Sequence, residues 1–402
     1  MPSRTSTTQS RAGSYVQQSG GFSAFVPAPL PPDPPVQVAE MQSLLGRAIL
    51  AVGRLDGIAQ TLPSADLFVS MYVRREAVLS SQIEGTQSTL EDLLAAEIES
   101  PRPRRQGPRR DVDEVVNYVR AMNYGLRRLN ELPLSLRLIR EIHGELMKGV
   151  RGGNRNPGNF RRDQNYIAPD GARDIRDATF VPPPLPQMRA SLDNFERWLH
   201  AEDEIPDLVR VGLAHAQFET IHPFLDGSGR VGRLLITVLL VHRNVLHRPL
   251  LYLSVYLRRN RAEYYDRLMA VRDSGDWEGW TRFFLRGVAE TAEEATDTVR
   301  AILALREGHI RAIQDDGLGM NAMRLHDVLL EQPYLTVSMA AERLGITFVT
   351  ANKLIERFTE LDMLFEITGR RRNRVFSYAP YLALFEEPPS GDESPVQGTE
   401  AV

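Results

Sequence analysis

Apolar residues recur at helical spacing along most of this chain. Met41, Leu44, Leu45, Ala48, Ile49, Val52 and Leu55 form one stripe ending at Gly57, which predicts an amphipathic helix from about Val36. A second helix is expected after Pro63-Ser64, through Phe68, Met71, Tyr72, Ala77 and Leu79, with Gly85 as its stop. Ser88 and Glu91 read as the capping box of a third. From Asp111 onward Val115, Val116, Tyr118, Val119, Met122 and Leu126 supply a core face, and Ser135 is placed to cap a helix carrying Ile139, Ile142, Leu146 and Met147. Pro206-Asp207 opens a run with Leu208, Val211, Leu213, Ala214, Phe218 and Ile221 on one side, and Leu234–Val241 is apolar throughout, so both are expected to be buried helices.

The segments between these helices differ in kind. Residues 1–35 are rich in Ser, Thr, Gln, Gly and Pro and predict a disordered arm. Residues 36–100 form an N-terminal helical segment, followed by a basic linker from Arg102 to Arg110 and a main helical body over 101–311. Within that body, Gly152 to Pro182 breaks the helical pattern, and Pro169-Asp170-Gly171 between two β-prone stretches predicts a hairpin. Residues 317–385 read as a separate winged helix-turn-helix domain: three helices (Met323–Leu330, Val337–Ile346 with its glycine turn, Thr347–Leu361) and then a hairpin with the Arg370, Arg371, Arg372 tip. DNA contact would fall to Lys353 and Arg357, with Thr350 and Asn352, on the third helix and to those three arginines; protein contact or dimerisation is an equal reading of the same domain. The acidic, Pro-Ser-rich residues 386–402 predict a disordered tail.

Composition narrows the class further. The 402 residues suggest two or three domains, and a net charge of −4 argues against wholesale nucleic-acid binding while leaving room for a local basic patch. The absence of cysteine excludes disulfides and thiol chemistry. No apolar run reaches membrane-spanning length and the N-terminus lacks an apolar signal core, so a cytoplasmic protein with no membrane contact is expected.

The chemistry is concentrated in His222-Pro-Phe-Leu-Asp226-Gly227-Ser228-Gly229-Arg230-Val-Gly232-Arg233, a turn between two buried helices. Gly227 and Gly229 allow backbone N–H groups to converge, and the following helix presents its positive end there, which together suit phosphate. Arg230 and Arg233, three apart on the first helical turn, could clamp one polyphosphate; Asp226 offers a hard oxygen for Mg²⁺, and His222 could take a proton from an incoming hydroxyl. Singly, each residue has an ordinary structural explanation; their joint occurrence is what points to transfer chemistry on a Mg-bound nucleotide. A zinc site from His215, His222 and Asp226 lacks the usual spacing, and no Gly-Lys-Ser/Thr marks a P-loop.

This stretch resembles the core motif of the Fic-domain family, His-Pro-Phe-x-Asp/Glu-Gly-Asn-Gly-Arg-x-x-Arg, with Ser228 in place of the usual asparagine. The resemblance implies transfer of AMP from ATP to a hydroxyl side chain of a protein, either another protein or the chain itself. His222 would be the base, Asp226 the Mg²⁺ ligand, and Gly227, Ser228, Gly229, Arg230, Gly232 and Arg233 the phosphate site. Ser228 would alter one polar phosphate contact, its hydroxyl being shorter than a carboxamide. Ser80-x-x-x-Glu84-Gly85 is similar to the family's inhibitory segment, in which the glutamate pairs with the second motif arginine, here Arg233, and blocks seating of the γ-phosphate. Pro157-Gly-Asn-Phe-Arg161, Gln164-Asn-Tyr166-Ile167 and Phe180-Val-Pro-Pro183 resemble the family's flap, whose edge at Tyr166 and Ile167 would hold a target segment; Tyr264 and Tyr265 match a pair near the adenosine. The resemblance covers about Val36 to Arg311. It implies a mainly α fold, a Fic-type helical domain with a β-hairpin flap, followed by the winged helix. Other readings stay open at this point: a nucleotide-sensing DNA-binding regulator, removal of AMP or transfer of another phosphate group at the same site, and a homodimer.

Overall fold

The computed structural model describes residues 11–62, 65–98, 109–168 and 173–386, with the backbone alone for 65–68 and 109–110. It opens on a hairpin, β1 (Gly13–Gln17) paired antiparallel with β2 (Ser23–Pro27), in register from Gly13 opposite Pro27 to Gln17 opposite Ser23. The expected disordered arm is therefore wrong for residues 11–35; residues 1–10 lie outside the described ones. Composition misled because the hairpin has little core of its own and uses that of a distant segment. Phe25 is buried against Phe180, and its N–H donates to the Val181 carbonyl at 2.9 Å.

Helices dominate the remainder up to Asp297, as the apolar spacing predicts. They are α1 (Gln42–Gln60), α2 (Ala65–Ile83), α3 (Leu90–Ile98), α4 (Arg109–Arg128), α5 (Leu136–Leu146), α6 (Leu185–Leu199), α7 (Asp207–Ile221), α8 (Ser228–His242), α9 (Ser254–Arg259), α10 (Arg261–Ser274) and α11 (Trp277–Asp315). On α1 the buried face is Leu45, Ala48, Ala51, Val52, Leu55 and Ala59, and Ile49, expected in the stripe, falls at its edge and is exposed. The capping box of α3 is shifted by one residue from expectation. Thr89 and Asp92 bond reciprocally, Thr89 N–H to Asp92 Oδ2 at 2.9 Å and Asp92 N–H to Thr89 Oγ1 at 3.1 Å, while Ser88 is buried. Arg109 and Arg110 belong to α4, and the rest of the basic linker lies outside the described residues.

At the centre lie α7 and α8, buried over almost their whole length and packed on each other. A helix buried on all sides must be surrounded, and α2, α4 and α5 pack on α8 while α6 and α10 pack on α7. The loop joining the two central helices is thereby held on a rigid floor. Residues 157–168 and 179–183 cross above it; Ile167 and Phe180 exchange both backbone hydrogen bonds, at 2.8 and 3.1 Å, as the base of the expected hairpin. Its Pro169–Gly171 tip lies outside the described residues.

A second compact unit begins at Thr298, within α11. It contains α12 (Met320–Glu331), β3 (Tyr334–Thr336), α13 (Val337–Leu344), α14 (Phe348–Glu360), β4 (Phe365–Glu366), β5 (Val375–Ser377) and α15 (Ala379–Leu382). The three strands pair antiparallel in the order β3-β5-β4, and Gly345, at φ 67°, makes the turn from α13 to α14. Leu325, Leu329, Ile355, Phe358, Phe376 and Tyr378 form its core. The expected tail from 387 lies outside the described residues. Among the described residues the chain is mainly helical with small sheets, and no helix is long and apolar enough to cross a membrane.

Candidate active site

The loop between α7 and α8 starts on a left-handed residue. His222 ends α7 at φ 45°, ψ 63°, with its N–H still bonded to the Phe218 carbonyl, and Gly227, at φ 79°, opens α8. A non-glycine residue in this conformation costs about 1–3 kcal/mol and persists only where its surroundings fix it. Here they do so by hydrogen bonds to the loop's backbone. Arg161 Nε donates to the His222 carbonyl at 3.2 Å, Arg161 N–H to Pro223 at 2.9 Å, and Asn165 Nδ2 to Phe224 at 2.9 Å. His143, unnoticed in the sequence, stacks on Phe224 at 3.7 Å. Its Nδ1 accepts the Gly158 N–H at 2.9 Å, so the proton sits on Nε2, which donates to the Asp226 carbonyl at 3.0 Å. Burial lowers the pKa of His143 to about 4, which keeps that single tautomer at neutral pH.

Ser228, expected at the phosphate, uses its hydroxyl on the loop's own backbone. Its Oγ accepts the Phe224 N–H at 3.0 Å and donates to the Phe224 carbonyl at 3.2 Å, closing the loop on itself. A short hydroxyl four residues past a buried N–H reaches back to it, and the side chain is consumed there.

His222 is enclosed but keeps one imidazole nitrogen available. Burial lowers its pKa to about 4, with Arg272 acting in the same direction and Glu84 against. The ring is neutral at physiological pH, the state a proton acceptor requires. Its Nδ1 is buried without a well-formed hydrogen bond among the described residues, although the Glu219 carbonyl is near enough to favour a proton on the ring.

The two motif arginines diverge instead of sharing one ligand. Arg230 runs into the protein, where Nη1 donates to Glu114 Oε2 at 2.9 Å and Nη2 to Asp226 Oδ1 at 3.1 Å. Arg230, expected at the phosphate, is thus paired here with Glu114 and Asp226, since a buried guanidinium needs carboxylate partners. The other oxygen of Asp226 lies where a Cβ on Gly152 would come within 2.3 Å. One carboxylate oxygen free of hydrogen bonds among the described residues, and uncovered because position 152 has no side chain, fits Mg²⁺, which takes few protein ligands and completes its shell with water and phosphate.

Arg233 turns the other way, to α2. Its Nη2 donates to Glu84 Oε1 at 2.7 Å and to the Ser80 carbonyl at 2.9 Å, and its Nε to Ser80 Oγ at 2.8 Å. Arg233 is buried while the Glu84 side chain keeps 39% of its surface exposed, so the carboxylate reaches in from the rim. Burial opposes the charge of each, yet each shifts toward its ionised form because of the other, Glu84 down and Arg233 up. Glu76 and Ser80 share one face of α2, which Glu84 continues just past its end, and Glu76 anchors that face: Tyr118 Oη and Ser254 Oγ donate to it at 3.1 and 2.6 Å. The carboxylate of Glu84 also covers the first turn of α8, where a Cβ on Gly229 would stand 2.3 Å from Oε1. An anion therefore already lies at the helix end that suits phosphate.

Other anticipated residues are distributed less simply. Gly232 makes room for Glu219, whose Oε1 would stand 2.1 Å from a Cβ there; burial raises the pKa of Glu219 to about 7. Tyr264 is fully buried with its hydroxyl on His215 Nε2 at 2.9 Å, so of the tyrosine pair only Tyr265 offers a face, with the Arg261 guanidinium above it. The second nitrogen of His215 is engaged by the Gly232 carbonyl at 3.0 Å. Tyr166 and Ile167 are exposed on the side of the flap away from β2. In the second unit Lys353 and Arg370–Arg372 are exposed, but Arg357 is not free for nucleic acid, being bound by Asp316 and Glu360. Glu114, His143, Glu219 and Arg272 escaped the sequence reading. Each looks like an ordinary helix residue, and only the pairing of distant helices reveals its partner.

Residues 42–127 match the family described as Fic/DOC family N-terminal, and residues 133–240 the Fic/DOC family. The protein adenylyltransferase Fic of Drosophila erecta is 28% identical over 191 residues, 46% of this chain and 33% of its own length; that of Drosophila virilis is 26% identical over 233 residues, 54% and 43%. The chain thus matches less than half the length of these relatives. A Fic family protein from Desulfovibrio desulfuricans G20 has the same fold, with TM-score 0.51 and 17% identity over 83% of this chain and 95% of its own. Over residues 42–240, this chain belongs to the Fic/DOC family.

Proposed function

We propose that this chain is a protein adenylyltransferase held inactive by its own Glu84. The carboxylate of Glu84 on the first turn of α8 carries this reading, because it marks an anion site beside a neutral imidazole. With MgATP seated in place of Glu84, the oxygen of a protein hydroxyl attacks the α-phosphorus and its proton passes to His222. The O–P bond forms, the bond from the α-phosphorus to the bridging oxygen breaks, and pyrophosphate leaves. Arg233 takes the terminal phosphate, Asp226 holds Mg²⁺ with its carboxylate oriented by Arg230, and the exposed edge at Tyr166 and Ile167 receives the target backbone. Residues 36–100 then serve as the inhibitory segment and 101–311 as the catalytic core. ATP labelled at the α- or the γ-phosphate tests the reaction in the Glu84→Gly chain. Label should enter protein from the α position only, and His222→Ala in the same background should abolish it; incorporation from the γ position alone would overturn the reading.

For the unit from Thr298 onward we infer a winged-helix contact module. Lys353 and Arg370–Arg372 support DNA binding through phosphates, whereas Phe348 and Val349, exposed at the start of α14, are unlike a base-reading surface. DNA binding by the full chain should fall steeply with salt and weaken when the three arginines are neutralised. Salt-insensitive or undetectable binding leaves protein contact as its role.

A further inference from the structure

Arg272 is a buried cation whose place in the fold no motif explains. It lies on α10, with its guanidinium carbon 3.9 Å from the centre of the Phe180 ring and Nε donating to Thr220 Oγ1 at 3.2 Å. Phe180 is the flap residue paired with Ile167, and Phe25 of β2 packs on it with ring centres 6.1 Å apart. Thr220 is in the last turn of α7, two residues before His222. One side chain therefore joins the flap to the end of the helix that delivers the base.

We propose that Arg272 is a positioning residue of the transfer reaction: its guanidinium ties the flap to the last turn of α7 and sets the charge around His222. The inference rests on His222 acting as the base. A cation beside the imidazole disfavours a second one, so the ring stays ready to accept a proton. The groups acting on His222 from the surrounding elements are Arg272 on α10, Arg161 in the flap, Glu84 just past the end of α2, and the Glu219 carbonyl on α7 itself. Burial does most to bring the pKa of His222 to about 4, and Arg272 is the strongest of the charges that act with it. Arg272 in turn is countered by Glu219 and, less, by Asp273; burial lowers its own pKa to about 10, so it stays charged at neutral pH.

The test is an NMR titration of the His222 imidazole in the full chain, its signal identified by its loss in His222→Gln. In the wild type the ring should remain neutral down to about pH 5. Arg272→Met, which keeps the length of the stem but not the charge, should raise the titration midpoint above that of wild type, with burial still holding it below the ordinary histidine value of about 6.5, whereas Arg272→Lys should stay close to wild type. Arg272→Gln carries the same expectation should Arg272→Met fail to fold. Identical titration in the neutral variants and the wild type would overturn the proposal. In the Glu84→Gly background, Arg272→Met should also move the acid limb of the pH profile for label transfer upward. If Glu84→Gly transfers no label at any pH, the proposed activity fails while the titration still decides the role of Arg272.

Discussion

Glu84 and Gly229 approach so closely that no side chain other than hydrogen fits at position 229 while the carboxylate is docked. A Cβ there would lie 2.3 Å from Glu84 Oε1 and 3.2 Å from Arg233 Nη1. On the proposed function, the absent side chain would serve two ligands in turn, the carboxylate in the locked state and a phosphate in the open one.

Removing the carboxylate should therefore activate the chain. A charge-assisted hydrogen bond of this kind is worth ~1.5–3 kcal/mol, or roughly tenfold to a hundredfold in the population of the open state. Label incorporation by Glu84→Gly should exceed wild type by that factor at matched MgATP. If Glu84 is only a helix-end residue, the folded variant will show an unchanged or lower rate.

The lock should be insensitive to pH across the neutral range. Glu84 has a folded pKa below its ordinary value, so its pairing with Arg233 is fully present above the unfolded carboxyl range and is lost only as pH falls through the lowered one. The activity ratio of Glu84→Gly to wild type should stay constant between about pH 6 and 8. A ratio that falls as the pH drops within that window would show the lock opening on protonation and contradict this assignment.

Glu114 should support the metal ligand from a distance. Glu114 and Arg230 are each about 5% exposed, and Arg230 in turn holds Asp226. Glu114→Ala leaves a buried guanidinium with one carboxylate fewer, at a cost of about 3–5 kcal/mol in unfolding free energy. It should also raise the Mg²⁺ concentration needed for half-maximal transfer in the Glu84→Gly background. Unchanged stability and Mg²⁺ response would remove Glu114 from this chain of contacts.

Ser228→Ala separates a loop clasp from a phosphate contact. Losing the hydroxyl leaves the buried Phe224 N–H unpaired, which costs about 1–3 kcal/mol and should appear as a lower denaturation midpoint without nucleotide. A variant as stable as wild type but weaker in ATP binding would return Ser228 to the phosphate site.

Much of this molecule was legible in one dimension because burial has a period. The stripes that predict α1, α5 and α7 name residues most of which are buried in the fold, Ile49 being an exception, since burial follows the helical period wherever one face meets the core. The placement of the loop motif was equally legible, since the apolar runs on either side of it predict the two buried helices that the fold shows. The sequence could not say which way each side chain turns. Arg230 and Arg233 are three residues apart and look equivalent, yet one is drawn inward by Glu114 on α4 and the other toward Glu84 beyond α2. The hairpin at residues 13–27 was hidden for the same reason, because Phe25 finds its core at Phe180, far along the chain. Buried charges and borrowed cores are settled by whichever partner the folded chain brings within reach, and that choice belongs to the tertiary structure.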